Sequence, residues 1–144
     1  MPVINWIMGG LAALALLAAQ PAGLPGLAAT LRTSRWQHRL LLLGAPTAGQ
    51  PDFQRQKQLL ATVEKELAAR DFQVIEVVYD QFSAADRQCW TQQLGQPLHG
   101  FTVVLIGKDG GVKRTSPHPL PAADLFDTVD KMPMRRQEMR GQER

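Results

Sequence analysis

Apolar positions change their period along the chain, and the changes mark the elements. Leu40 to Leu43 is a short continuous apolar run closed by Gly44, the pattern of a strand covered on both faces. Gly44 to Pro51 is turn chemistry, and Pro51 suits the first turn of a helix. Phe53, Gln56, Leu60, Val63 and Leu67 then recur at helical spacing, with Arg55, Lys57, Glu64 and Lys65 largely elsewhere, which predicts one amphipathic helix to about Arg70. Phe72 to Tyr79 is β-branched and aromatic, hence a second strand. Glu76 within it fits an edge position, with a partnered buried carboxylate as the alternative. Ser83 followed by Asp86 has the capping-box pattern and Gly95 is a suitable stop, so a second helix is expected over 84–94. Phe101 to Ile106 forms a third strand. Asp109-Gly110 is a tight-turn signal that joins it to a fourth at about Val112 to Thr115. Beyond Pro117, Pro119 and Pro121, the stripe Leu125, Val129 and Met132 with Phe126 beside it predicts a last helix, ended by Pro133.

The order is strand, helix, strand, helix, strand, strand, helix. A helical crossover makes the first two strands parallel, and the hairpin adds antiparallel partners to the same sheet. The expected fold is therefore α/β and thioredoxin-like, with an about four-stranded mixed sheet and flanking helices.

Composition separates the first 31 residues from the rest, because every Lys, Arg, Asp and Glu lies at or beyond Arg32. Met1 to Ala19 is apolar apart from Asn5, with the texture of a signal-peptide core, and Pro21, Gly23, Pro25 and Gly26 break any helix. Gly26-Leu27-Ala28 offers small residues where a signal peptidase inspects them. The leading expectation is export with cleavage near Ala28, leaving about 116 residues, enough for one core. A retained anchor is the alternative, since the apolar stretch is long enough to span a bilayer and no Lys or Arg precedes it, and a misassigned start is a third. The expected organisation is a leader or anchor over 1–28, a folded domain over 36–133 and a basic tail over 134–144.

Charge refines this division. Residues 32–130 balance 11 basic against 11 acidic side chains, so the surplus of +3 resides in Lys131 to Arg144, with five basic and two acidic side chains. A basic extension on a neutral body does not predict a nucleic-acid face, which needs a clustered basic stripe with aromatic platforms. With a single cysteine the chain can form no internal disulfide, dithiol pair or thiolate zinc cluster.

The run Phe101-Thr-Val-Val-Leu-Ile-Gly-Lys-Asp-Gly-Gly-Val-Lys113, followed by Asp130-Lys-Met-Pro-Met-Arg-Arg-Gln-Glu-Met139, resembles the peroxiredoxin-like domain of unknown function called P-DUDES. That domain also occurs in sushi-repeat-containing and coiled-coil-domain-containing extracellular matrix proteins. The resemblance covers Trp36 to Arg140. It implies a thioredoxin-like fold and an exported setting, and it carries over no catalytic residues.

The chemistries can be tested in turn. Redox-active thioredoxin-like proteins keep their nucleophilic cysteine between the first strand and the first helix, where the helix N-terminus favours thiolate. Here that loop, Gly44 to Pro51, holds no sulfur; Thr47 is its hydroxyl, with no base nearby in sequence. Cys89 falls within the second helix beside Trp90, as expected of a buried thiol, with a reactive or intermolecularly paired thiol as the alternative. His38, His99 and His118 share no metal-ligand spacing. Gly107 to Gly111 leads into a strand rather than a helix, so a turn is expected there and not a phosphate loop. Asp80 and Asp86 flank the loop after the second strand, with Asp86 committed to capping. The remaining candidates are cationic: Lys108, Lys113 and Arg114 at the hairpin, and Arg135 and Arg136 after the last helix. Their alternatives are solvated surface charge or a site for an anion or an acidic partner. The expected function is an exported binding or structural module without a dithiol site and without a cofactor, its partner a protein or anionic ligand. The alternatives are an oxidoreductase or other enzyme using Cys89 or the loop 44–51, and a membrane-tethered accessory subunit if the N-terminal segment is retained.

Overall fold

A computed structural model describes residues 26–143. Helix α1 (Leu27–Ser34) leads into strand β1 (Arg39–Ala45). Helices α2 (Pro51–Ala61) and α3 (Glu64–Ala69) return the chain to strand β2 (Phe72–Val78). A 3-10 turn (Tyr79–Gln81) and helix α4 (Ala84–Gln88), continued by a π turn (Cys89–Gln93), precede strands β3 (Thr102–Ile106) and β4 (Val112–Ser116). Helices α5 (Ala122–Asp130) and α6 (Pro133–Gln142) follow. The sheet order is β2-β1-β3-β4, with β2 parallel to β1 and both β1–β3 and β3–β4 antiparallel. This is the α/β class and four-stranded mixed sheet that the apolar pattern predicts.

Every residue of β1 is buried, because β1 is an interior strand with helices on both faces. Leu41, Leu43 and Ala45 pack with Phe53, Leu60, Leu67, Leu125 and Val129 from α2, α3 and α5. Leu40 and Leu42 meet Leu27, Tyr79, Cys89 and Trp90 on the opposite face. Burial of several leucines at roughly 1.5–3 kcal/mol each makes this strand a large apolar contribution to stability. Glu76 lies on edge strand β2, exposed and paired with Lys57 at 2.8 Å, as an edge position requires.

Two buried polar groups fix the chain around this core. Gln56 donates its amide to the Leu120 carbonyl (3.0 Å) and accepts from the Leu120 N–H (2.7 Å), tying the proline-rich loop to α2. Trp90 is fully buried and donates Nε1–H to the Pro97 carbonyl at 2.7 Å. The capping box at α4 forms as expected: Ser83 Oγ accepts from the Asp86 N–H and Asp86 accepts from the Ser83 N–H. Asp86 also accepts from the Leu27 N–H at 2.9 Å, so one carboxylate holds the starts of α1 and α4.

Three expectations are corrected. The single helix to Arg70 is broken at Thr62 and Val63, where the Thr62 hydroxyl bonds the Leu59 carbonyl and Val63 leaves helical geometry. Both residues are poor helix formers, and a threonine hydroxyl competes with the backbone ladder. Residues 134–142, expected as a basic tail, belong to α6, which buries Arg135 against the body. Helix α1 also belongs to the body, since Leu27 is buried in the second cluster; cleavage beside Ala28 would cut inside a packed helix. The apolar stretch that prompted the leader assignment lies outside the described residues up to position 25. No helix among the described residues is long and apolar enough to cross a membrane.

Gly44 is the tightest point of the core. A Cβ there would lie 2.7 Å from Trp90 Cζ2 and 2.7 Å from Tyr79 Oη, both on rings with no room to retreat. Gly44→Ala should therefore destabilise the domain by about 1–3 kcal/mol, the usual cost of overpacking. Urea denaturation would measure it; an unchanged midpoint would contradict the packing.

Candidate functional site

The end of the sheet where β1 begins and β3 finishes carries an unusual density of charge. Arg39, 1% exposed, donates from Nη1 and Nη2 to the two carboxylate oxygens of Glu138 (3.2 and 3.3 Å) and from Nη1 to the Arg70 carbonyl (2.9 Å). Lys108 Nζ donates to Glu138 Oε1 and to Asp71 Oδ2, each at 2.7 Å. Arg135, 6% exposed, donates to Asp130 Oδ1 (3.3 Å) and the Ala69 carbonyl (3.1 Å), with Nη1 3.7 Å from Glu138 Oε2. Arg70 clasps Asp130 through Nε and Nη2 (3.0 and 2.9 Å) and stacks over Phe126 at 4.1 Å. Four cations and three carboxylates thus join β1, the turn before β2, the end of β3, α5 and α6.

Local electrostatics follow this geometry. Burial pushes the Glu138 carboxyl up, but hydrogen bonds and charge from Lys108 and Arg39 outweigh it and hold the carboxyl below its usual range. Arg70 is the main cause holding Asp130 low, against burial and with help from Arg135. Burial opposes the charged form of Lys108, yet Asp71 and Glu138 raise its pKa overall. Asp109 is lowered by Lys113, which pairs with it at 2.8 Å, and by the Gly111 N–H.

A groove of about 650 Å³ opens beside this network. Its mostly apolar walls include Trp36, Gly107, Lys113, Lys131, Met132 and Met134. Trp36 is 56% exposed and Met134 36%. The Trp36 backbone has φ +68°, a left-handed conformation that is uncommon for so bulky a residue. Its N–H donates to the Lys108 carbonyl at 2.6 Å, and the Arg35 guanidinium lies 5.2 Å from its ring centroid. Gly110, at φ +88°, completes the predicted Asp109-Gly110 turn, with Arg35 packed close to it.

The five cations singled out from the sequence separate into four environments. Lys108 and Arg135 share Glu138 within the network. Arg114 donates to Thr128 Oγ1 at 3.1 Å, fastening β4 to α5. Lys113 pairs with Asp109 on the groove wall, and Arg136 is exposed on α6. Sequence reasoning missed Arg39, Asp71, Asp130 and Glu138 as their partners, and Trp36 and Lys131 as groove residues. The one available signal was Glu138, an acid inside a basic segment. At the opposite end of β1, Thr47, Ala48 and Gly49 are exposed, and Gln50 caps α2 by accepting from the Phe53 N–H at 2.7 Å. Cys89 is buried, within 3.4 Å of Gln93 Oε1; burial, and then the Asp86 charge, push its thiol up. Among the described residues no three His, Cys, Asp or Glu side chains are placed to hold a metal.

The network makes stability depend on pH in both directions. Glu138 and Asp130 are depressed in the folded state, so their contribution is complete above the unfolded carboxyl values of about 4 and disappears as pH falls through the lower folded values. Lys108 is raised, so its contribution is complete below about pH 10.4 and disappears as pH rises through its folded value. Glu138→Gln should cost about 2 kcal/mol at neutral pH, by leaving buried cations short of a counter-charge, and should flatten the acid limb of the stability profile. Urea midpoints of both proteins from acid to alkaline pH would check this; parallel profiles would contradict it.

Comparison with known proteins follows the same stretch of chain. A segment is 26% identical to coiled-coil domain-containing protein 80 of Danio rerio over a 129-residue alignment. That alignment covers 73% of this chain and 15% of the relative, so the chain spans only a small part of the curated protein it matches. Residues 30–138 match the family described as Domain of unknown function (DUF4174), a span that opens within α1 and closes on Glu138, and the chain belongs to that family.

Proposed function

We propose that this chain is an exported, thioredoxin-like module that binds a partner rather than turning over a substrate by sulfur chemistry. One observation carries the reading: the loop between β1 and α2, where that fold places its nucleophile, contains no cysteine, and the lone thiol elsewhere is buried with its pKa raised. A thiol above the ordinary value of about 8.5 is scarcely ionised at neutral pH, so neither nucleophilic attack nor peroxide reduction is favoured at Cys89. Export is supported by the apolar stretch before Pro21.

Native protein should react slowly with iodoacetamide at pH 7 and rapidly once unfolded. Reduction of insulin disulfides and of peroxide should be no faster than with Cys89→Ser. Turnover that Cys89→Ser abolishes would overturn the reading in favour of a one-thiol enzyme. Because Leu27 is packed in the body, N-terminal sequencing of the secreted form should find the new terminus upstream of Leu27; a terminus beyond Ala28 would contradict this boundary.

A further inference from the structure

The groove beside Trp36 joins three observations that ordinary surface does not require. Trp36 projects an exposed ring from a left-handed backbone, held by the turn that the Gln37 and His38 N–H groups close on the Ser34 carbonyl and by its own hydrogen bond to the Lys108 carbonyl. For a bulky residue such geometry costs on the order of 1–3 kcal/mol and persists only where surrounding structure enforces it. Apolar groups from another part of the chain, Met132, Pro133 and Met134 at the junction of α5 and α6, line the same concavity. Its charge is one-sided: Lys113, Lys131 and the neighbouring Arg35 stand against Asp109, which Lys113 already pairs. The Lys108 and Arg39 side chains border the groove with their charge answered by Glu138 and Asp71, so Lys131 is left as a solvent-facing cation on the wall.

We propose that this groove docks an acidic peptide segment of a partner protein, with one bulky apolar side chain against Trp36 and Met134 and carboxylates answered by Lys131 and Arg35. The proposal rests on the binding-module reading and gives that module its ligand class. Charge complementarity selects an anionic occupant, and the apolar walls require that it also carry an apolar anchor. Tryptophan, methionine and arginine are the side chains enriched at protein interfaces, and tryptophan and arginine lead among energetic hot spots. A sulfated glycan would match the cations and leave the ring and methionines without a partner. An anionic membrane would match the charge, but a flat lipid surface does not fill a concavity.

The test is a titration of isotopically labelled full chain with synthetic peptides, followed through backbone amide signals. The probes are a peptide with one phenylalanine flanked by aspartate and glutamate, the same peptide with alanine for phenylalanine, and the phenylalanine peptide flanked by lysine. Heparin oligosaccharide and phosphatidylserine vesicles complete the set. The acidic phenylalanine peptide should shift signals of Trp36, Lys108–Lys113 and Lys131–Met134, with affinity that falls as salt rises. Trp36→Ala should weaken it about tenfold. Lys131→Glu, at an exposed position where folding is not at issue, should weaken it and reduce the salt dependence. Loss of the phenylalanine should abolish the shifts. Absence of shifts with the acidic phenylalanine peptide, shifts elsewhere, or shifts indifferent to both substitutions would overturn the proposal. So would heparin or vesicles acting on these signals where the peptide does not. None of these results depends on thiol turnover, so failure of the groove and failure of the non-redox reading are told apart.

Discussion

A single carboxylate organises one end of this protein. Glu138 accepts from Arg39 and Lys108 and lies within 3.7 Å of Arg135, so the first residue of β1, the second residue after β3 and the C-terminal helix converge on one counter-charge. Taking such groups out of water is costly, and a buried ion pair is weak evidence of net stability compared with an apolar replacement. Its force here is positional. Any other seating of α6 would leave Arg39 and Lys108 short of a negative partner in a partly buried setting. Removing charge is far more expensive than rearranging it, so α6 has one acceptable place. Among the described residues Arg39 Nε nonetheless finds no hydrogen-bond partner, and the network there fixes position while leaving one donor unanswered.

The other end of β1 is governed by packing instead. Trp90, Tyr79 and Phe82 form a cluster with ring centroids 5.6 to 6.2 Å apart, and the glycine at position 44 lets two of those rings close on the strand. The face of β1 opposite α2 is consequently filled at Gly44 by aromatic side chains, while the β1–α2 connection exposes a threonine, an alanine and a glycine. The strand is thus charged and open at its beginning and closed and apolar at its end.

What could be read beforehand follows from how local each cause is. The leucine run of β1 announced an interior strand because burial on both faces erases the alternation that an exposed face would impose. The Ser83–Asp86 cap and the Asp109-Gly110 turn are satisfied within a few residues, so sequence alone could carry them. The break at Thr62 was hidden because the apolar stripe continues through it, with Val63 and Leu67 still facing the core from a new helix. Helix α6 was hidden for the opposite reason. Its inward face is made of Arg135 and Glu138, and a buried ion pair has the same letters as a solvated surface. Neither partner discloses its burial until Arg39, Lys108 and Asp130 are brought from distant parts of the chain.

Trp36 was hidden most deeply, and its cause links the network to the groove. Its left-handed backbone sits in a turn that the Gln37 and His38 N–H groups close on the Ser34 carbonyl, and the Lys108 carbonyl, just beyond the neighbouring strand β3, accepts the Trp36 N–H. The same Lys108 spends its ammonium on Glu138 and Asp71. One residue therefore fixes the tryptophan through its backbone and the C-terminal helix through its side chain, and the helix in turn brings Met134 to the groove. The strained backbone, the ion pairs and the apolar concavity are one mechanical unit. Met134 reaches the groove from the same helix that carries Glu138, so the ion pairs that seat α6 also set one wall of the groove.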